Sequence, residues 1–258
     1  MSQSLLTLTD LTMRFGGISA LESVSFEVEE GKTTSVIGPN GAGKTTLFNC
    51  VTGMYTPTSG RVHFDGQDIT ANRPHQIARH GIARTFQNLA LFGGLTVLEN
   101  LMVGSYLQGR SGLLHGVFAS PAARRERRDA EAAAREVLAF LGMAHTADMM
   151  PSELPYGLQK QVEFARALMQ RARLVMLDEP MAGMSQSEKA AMSRLIQRVR
   201  HERGATILVV EHDIPVVMDI SDQIVVLDFG RKIADGRPEA VRQDPAVIAA
   251  YLGADAHH

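Results

Sequence analysis

Two short stretches of this chain hold the residue types that phosphate chemistry needs. The first is Gly38-Pro39-Asn40-Gly41-Ala42-Gly43-Lys44-Thr45, which fits the pattern G-x-x-x-x-G-K-[ST]. A diphosphate or triphosphate needs many donors at close range. Glycine puts no Cβ between the phosphate oxygens and the backbone N–H groups that curl around them. Lys44 adds a full positive charge for the β- and γ-phosphates, and the Thr45 hydroxyl can ligate Mg2+. From background residue frequencies this pattern arises by chance in about one chain in a hundred of this length. The second stretch is Leu174-Val175-Met176-Leu177-Asp178-Glu179, an apolar run ending in two carboxylates. Asp178 is suited to holding Mg2+, directly or through water. Glu179 is suited to polarising an attacking water as a general base. Taken alone, such a pair is commonly the solvated end of a strand; beside a phosphate loop it reads as chemistry.

These residues need elements that aim them. Thr33–Ile37 predicts a buried strand leading into the loop. Thr45–Val51 predicts a helix whose positive N-terminal end faces the phosphates. Leu174–Leu177 predicts a buried strand, and in a parallel sheet its C-terminal end opens on the ligand crevice. Ile207–Val210 and Ile224–Leu227 are apolar without alternation, as expected of a parallel sheet covered on both faces. Leu5–Phe15 and Val24–Val28 alternate like half-exposed strands. Arg61–Phe64 precedes a turn at Asp65-Gly66, and Ile82–Phe86 predicts a further strand. A helical middle follows: Val97–Ser105, then a loop over Gly109–Ser120. A longer helix runs from Pro121, capped by Ser120, to about Leu141, with Gly142 as its stop. Ser185 with Glu188 forms a capping-box pattern for a helix through about Glu202. The sum is an α/β core interrupted by a helical lobe.

Composition fits that reading. The chain has 258 residues, 45 % of them apolar, enough for one large domain or a domain with a sub-lobe. Its 26 basic and 28 acidic residues leave a net charge of −2, so no nucleic-acid partner is expected. Cys50 is the only cysteine, which rules out an internal disulfide and reads as a small core filler. The N-terminus lacks the basic and apolar segments of a signal peptide. No apolar run approaches the roughly 18 residues of a membrane span.

The ordered set of motifs resembles the ATP-binding subunits of ABC transporters along nearly the whole chain. Gly38–Thr46 corresponds to the family's Walker A and Leu174–Glu179 to its Walker B. Gln87, in Arg84-Thr85-Phe86-Gln87, stands at the Q-loop glutamine, and His212, in Glu211-His212-Asp213, at the switch histidine. Leu154-Pro155-Tyr156-Gly157-Leu158-Gln159, before Glu163-Phe164-Ala165-Arg166-Ala167-Leu168, corresponds to the signature region. Arg14-Phe15-Gly16-Gly17, the long insertion after Thr96–Leu101 and the closing Tyr251-Leu252-Gly253 are most similar to the branched-chain amino-acid importers. Lipopolysaccharide-export ATPases share the closing motif.

The resemblance implies a P-loop NTPase (RecA-like) α/β core with an N-terminal antiparallel β subdomain and an inserted helical subdomain. Residues 1–87 and 171–258 would form the core and 88–170 the helical part. It implies ATP and Mg2+ as ligands. Phe15 would stack on adenine. Gly38, Asn40, Gly41, Gly43, Lys44, Thr45 and Thr46 would cradle phosphates, while Thr45, Gln87 and Asp178 would set Mg2+. Glu179 would activate water and His212 would contact the γ-phosphate. Pro155, Tyr156 and Gly157 would complete a site on a second ATPase subunit, same or different. Transmembrane permease subunits and, indirectly, a solute-binding protein are further implied partners. The place implied is the cytoplasmic face of the inner or plasma membrane, bound peripherally. Leu91, Phe92, Leu95 and Val97 would line a groove for a permease helix. Arg124, Arg125, Arg127 and Arg128 read as a solvated helix face.

Two departures from the family pattern stand out. Where the common signature reads L-S-G-G-Q, Pro155 brings neither a hydroxyl nor an N–H, and Leu158 replaces the glutamine. The loop after Walker B ends in Ser185 instead of aspartate. Asp228-Phe229-Gly230 matches a protein-kinase motif, but without a kinase catalytic loop it reads as a turn. A soluble ABC ATPase acting on DNA or ribosomes, and a nucleotide-binding regulator without hydrolysis, are the competing functions.

Overall fold

The computed structural model describes residues 3–85, 90–106 and 121–254. Strand β1 (Ser4–Phe15) pairs antiparallel with β2 (Ile18–Glu29) and with β4 (Ser59–Phe64), and a short β5 (Gln67–Asp68) completes a four-stranded sheet of order β2-β1-β4-β5. Leu6 faces Val28 and Phe64, and Leu8 faces Phe26 and Val62, so one side of this sheet is apolar. The second sheet has six strands in the order β10-β9-β3-β8-β7-β6. It comprises β3 (Thr33–Ile37), β6 (Ile82–Arg84), β7 (Leu174–Asp178), β8 (Thr206–Val210), β9 (Gln223–Asp228) and β10 (Arg231–Gly236). All its pairings are parallel except β9 with β10.

Alternate residues of the parallel strands explain the unbroken apolar runs. Val36, Met176, Leu208 and Val225 face the first sheet and helix α1 (Lys44–Val51). Val175, Leu177, Ile207 and Val209 face the other way, toward α5 (Tyr156–Leu168), α6 (Gln186–Arg203) and α7 (Ile214–Ile220). Ile37, Ile224 and Val226 pack with Val217, Val241 and Val247 in a third cluster under α8 (Pro238–Arg242) and α9 (Pro245–Ala254). Between β6 and β7 the described chain is helical. There α3 (Val97–Tyr106), α4 (Pro121–Phe140) and α5 bury Leu101, Leu138 and Val162 against one another.

Most expected elements are present with small shifts. The strand expected over Ile82–Phe86 ends its ladder at Arg84, and Phe86 lies outside the described residues. The strand expected at Val24–Val28 begins at Ile18, because a left-handed Ser23 and adjoining register shifts break its alternation. The loop expected over Gly109–Ser120, with its Ser120 cap, also lies outside the described residues. Helices α2 (Pro74–Arg79), α7, α8 and α9, and strand β10, had no forecast. Each of these four helices carries a proline near its start, and the first three are too short to show a period. β10 is a mostly polar edge strand.

Candidate functional site

The phosphate loop leaves the sheet at β3, the strand between β8 and β9. Neighbouring backbone crowds it and dictates its glycines. A Cβ on Gly38 would sit 2.1 Å from the Leu227 carbonyl oxygen, and one on Gly43 (φ +99°) 2.5 Å from that of Ala20. The loop is also pinned to the turn after β9, where the Gly230 N–H donates to the Ala42 carbonyl at 3.1 Å. That turn is Asp228-Phe229-Gly230. Phe229 stands 86 % exposed, so the kinase-like triplet is a hairpin turn that steadies the loop. Lys44 is the first residue of α1, buried, with its Nζ donating to the carbonyls of Gly38 at 2.6 Å and Pro39 at 2.9 Å. Burial lowers its ammonium pKa, while Glu179 and Asp178 pull it back up. Asn40, Gly41 and Thr45 are exposed and Gly43 and Thr46 partly so, leaving the loop open to a ligand.

Strand β7 delivers the two carboxylates, as its sequence predicts. Asp178 is buried at the strand end. Its Oδ2 accepts from Arg84 Nη2 at 2.7 Å. Arg84 also donates to Asn49 at 2.7 Å and Thr52 at 3.1 Å, and its guanidinium lies over the Phe48 ring. One arginine thus ties the helix of the phosphate loop to the carboxylate of β7. Glu179 is partly exposed and left-handed, with φ +47°, and its N–H donates to the Val210 carbonyl at 2.9 Å. A non-glycine residue in that region costs about 1–3 kcal/mol and persists only where its surroundings enforce it. Here the chain must turn sharply as it leaves the sheet, and the turn carries the Glu179 side chain beyond the strand end.

The next strand end, that of β8, carries Glu211 and His212. Glu211 is fully buried; its carboxylate accepts from the Met181 N–H at 2.9 Å and from the His212 N–H at 3.1 Å. It links the chain after Glu179 to His212. The His212 side chain is 59 % exposed, so it is no core histidine. Asp213 caps α7, accepting from the Val216 N–H, and the hydrogen bond from Lys189 holds its carboxyl below the usual range. Phe15, at the end of β1, is 43 % exposed and meets Tyr55 edge-on at 5.3 Å between centroids. It is therefore no core aromatic. Gln87 lies outside the described residues.

Pro155, Tyr156 and Gly157 form the N-terminal end of α5. Pro155 is its N-cap, with a φ of −54° that suits the ring. This end is bonded to the segment after β7: the Gly157 N–H donates to Glu188 Oε1 at 3.1 Å. Gln159 folds back to the Leu154 carbonyl. Of the residues expected to line an open groove, Phe92 is exposed and Leu91 and Leu95 partly so. Val97 is not one of them, because it is fully buried among α3, α4 and α5. Arg124, Arg125, Arg127 and Arg128 are exposed, as expected. Burial lifts the Cys50 thiol to about 11, which suits a core filler.

Sequence reasoning overlooked three contributors. Arg84 lies three residues before Gln87 and Glu211 adjoins His212, but Arg84 reaches Asn49, Thr52 and Asp178, and Glu211 reaches Met181, all on other parts of the chain. Tyr251, noted only as part of a closing motif, brings α9 back to the phosphate loop. Burial raises its phenol to about 12; the nearby Gly38 backbone N–H pulls the other way without completing a full hydrogen bond.

The chain resembles known proteins over nearly its whole length. The family model for ABC transporters matches residues 21–182, and that for branched-chain amino acid ATP-binding cassette transporters matches residues 231–257. The chain is 46 % identical to the high-affinity branched-chain amino acid transport ATP-binding protein BraF of Pseudomonas aeruginosa, over 98 % of this chain and 99 % of that one. It belongs to the ABC transporter ATP-binding family. A solved ATP-binding cassette in its ADP conformation superimposes with a TM-score of 0.85 and 35 % identity, covering 98 % of this chain and all of the other. A dimeric cassette holding ADP and phosphate matches at a TM-score of 0.74 and 26 % identity, over 90 % of this chain and 98 % of that one. The two-sheet α/β architecture is thus that of an ABC ATPase. Among the described residues no helix of this ABC subunit is long and apolar enough to cross a membrane.

Proposed function

We propose that this chain is the ATP-hydrolysing subunit of an ABC importer for branched-chain amino acids or related small amino acids and amides. It works as one half of a pair of ATPase subunits docked on membrane permeases at the cytoplasmic face. The observation that carries the catalytic reading is the charge arrangement at the strand ends. The buried Lys44 ammonium is electrostatically coupled to both Asp178 and Glu179. Phosphates seated on the loop would replace the two backbone carbonyls that Lys44 now contacts. The full-length likeness to BraF supports the choice of solute.

The geometry of the described residues and the family pattern support the following roles. Phe15 offers an exposed face for adenine. Gly38, Asn40, Gly41, Gly43, Lys44, Thr45 and Thr46 take the phosphates. Mg2+, held by Thr45, Gln87 and Asp178, would supply positive charge at the phosphate oxygens. Two of these donors suit the ion: Thr45 is exposed, and Arg84 bonds one oxygen of the Asp178 carboxylate, which has two. Glu179 takes a proton from the attacking water, and His212 steadies the γ-phosphate. Such catalysis is positioning and charge stabilisation at an in-line transfer. Pro155, Tyr156 and Gly157 present the α5 N-terminus to the ATP held by the other subunit. Residues 1–87 and 171–258 act as the nucleotide-binding core, and 88–170 as the helical part that meets the permease through Phe92, Leu91 and Leu95.

The test is affinity purification of the tagged chain from membranes of its own cells, followed by uptake assays in a deletion strain. Recovery of permease subunits, and loss of leucine, isoleucine and valine uptake, is the expected result. Recovery of ribosomes, DNA or a lipopolysaccharide-export complex would overturn the proposal.

A further inference from the structure

The N-terminal end of α5 is already occupied. Its first-turn Gly157 N–H is a donor suited to an anion, because it opens a helix and points along the dipole. The Glu188 carboxylate takes it, with Oε1 3.1 Å from the Gly157 nitrogen. The other oxygen, Oε2, accepts from the Ser185 N–H at 2.8 Å and the Ser185 Oγ at 2.7 Å, closing the capping box of α6. These donors hold the Glu188 carboxyl below the usual range, so it is ionised at neutral pH. The fit is close: a Cβ on Gly157 would lie 2.4 Å from Oε1. A second contact joins the same two segments, for the Tyr156 ring lies against Gly183, 3.2 Å from where a Cβ would stand. Pro155 has no N–H to give, and Leu158 N–H already turns back to the Pro155 carbonyl at 3.0 Å.

We propose that the Glu188 carboxylate is an internal stand-in for phosphate: it holds the Gly157 N–H until ATP on the facing subunit displaces it, and so sets how much ATP closes the pair. This rests on the reading of α5 as the element that meets the partner's nucleotide. A carboxylate and a γ-phosphate cannot share one N–H donor, and as like charges they repel at that distance. Closure therefore requires the Glu188 side chain to rotate away. It is only partly buried and can do so without opening the core. Glu188 restrains closure; it takes no part in the chemical step.

The experiment uses the full chain carrying Glu179→Gln, which slows hydrolysis, and follows ATP-driven dimerisation by light scattering. Two further substitutions are added separately. Glu188→Gln removes the charge. Glu188→Asp keeps the charge but is one methylene too short to reach Gly157. Melting curves identify the variants that fold, and a folded one of the two decides the outcome. The expected result is a several-fold lower ATP concentration at half-dimerisation, with ATP affinity of the monomer unchanged by calorimetry. An unchanged or higher ATP requirement in the folded variants overturns the inference and leaves the reading of α5 standing. Failure of the Glu179→Gln chain to pair at saturating ATP, either with itself or with an ATPase subunit co-purified with it from membranes, overturns both.

Discussion

Replacing Arg84 by methionine is the most direct probe of how this site is held together. The methionine keeps an unbranched apolar stem against Phe48 but removes every donor. Among the described residues, bonds to Asp178, Asn49 and Thr52 are lost. The decisive loss is at Asp178. The paired side chains are 10 % and 2 % exposed, so water cannot take over the role of the guanidinium. Removing one partner of a buried pair leaves an uncompensated charge and costs about 3–5 kcal/mol. For a chain of 258 residues each kcal/mol lowers the midpoint by roughly 2 °C. Arg84→Met should therefore melt about 6–10 °C below the parent without nucleotide. The cause is tested by a double-mutant cycle with Asp178→Asn. Once the carboxylate is neutral there is no stranded charge, and most of the loss should be recovered in the double variant. Thermal and urea unfolding followed by circular dichroism give both numbers. A midpoint within about 2 °C of the parent, or losses in the two single variants that simply add, would refute the reasoning.

Four more outcomes are expected. Glu179→Gln should keep ATP binding and cut steady-state hydrolysis by about 10²–10⁴-fold; phosphate release within a few-fold of the parent would remove Glu179 from the role of base. Gly38→Ala forces a Cβ onto the Leu227 carbonyl, 2.1 Å away, so it should lower the melting midpoint and abolish nucleotide binding by calorimetry, and a parent-like protein would contradict the packing. Phe15→Ala removes a ring that is 43 % exposed, so stability should change by no more than about 1 kcal/mol, while ATP affinity falls by fluorescence titration; equal affinity would deny the stacking role. The Cys50 thiol rises from 9.0 to about 11 on folding, so its contribution to stability is complete below pH 9 and lost as pH climbs toward 11. Thiol labelling at pH 8 should accordingly track unfolding, and rapid labelling of the native chain would refute the burial.

Most of the framework, and the residue types suited to a phosphate site, are legible in the chain alone. Gly38–Thr45 and Asp178-Glu179 announce a phosphate site because few residue types can cradle or polarise phosphates. The unbroken apolar runs at β3, β7, β8 and β9 announce a parallel sheet because both of their faces are covered. Short helices begun by proline escaped notice because they are too brief to show a period. The polar edge strand β10 escaped because it lacks a buried face. Val97 was misplaced because an apolar residue looks alike in a groove and in a core until its neighbours are known. Tertiary structure alone decided who stands beside whom. Arg84 meets Asp178, Glu211 joins Met181 to His212, Tyr251 returns to Gly38, and Glu188 covers Gly157. Each of these contacts joins residues from different elements, and no local periodicity or spacing encodes such a meeting. It exists only once the sheet order and the packing of helices on it have brought the chain's distant parts together.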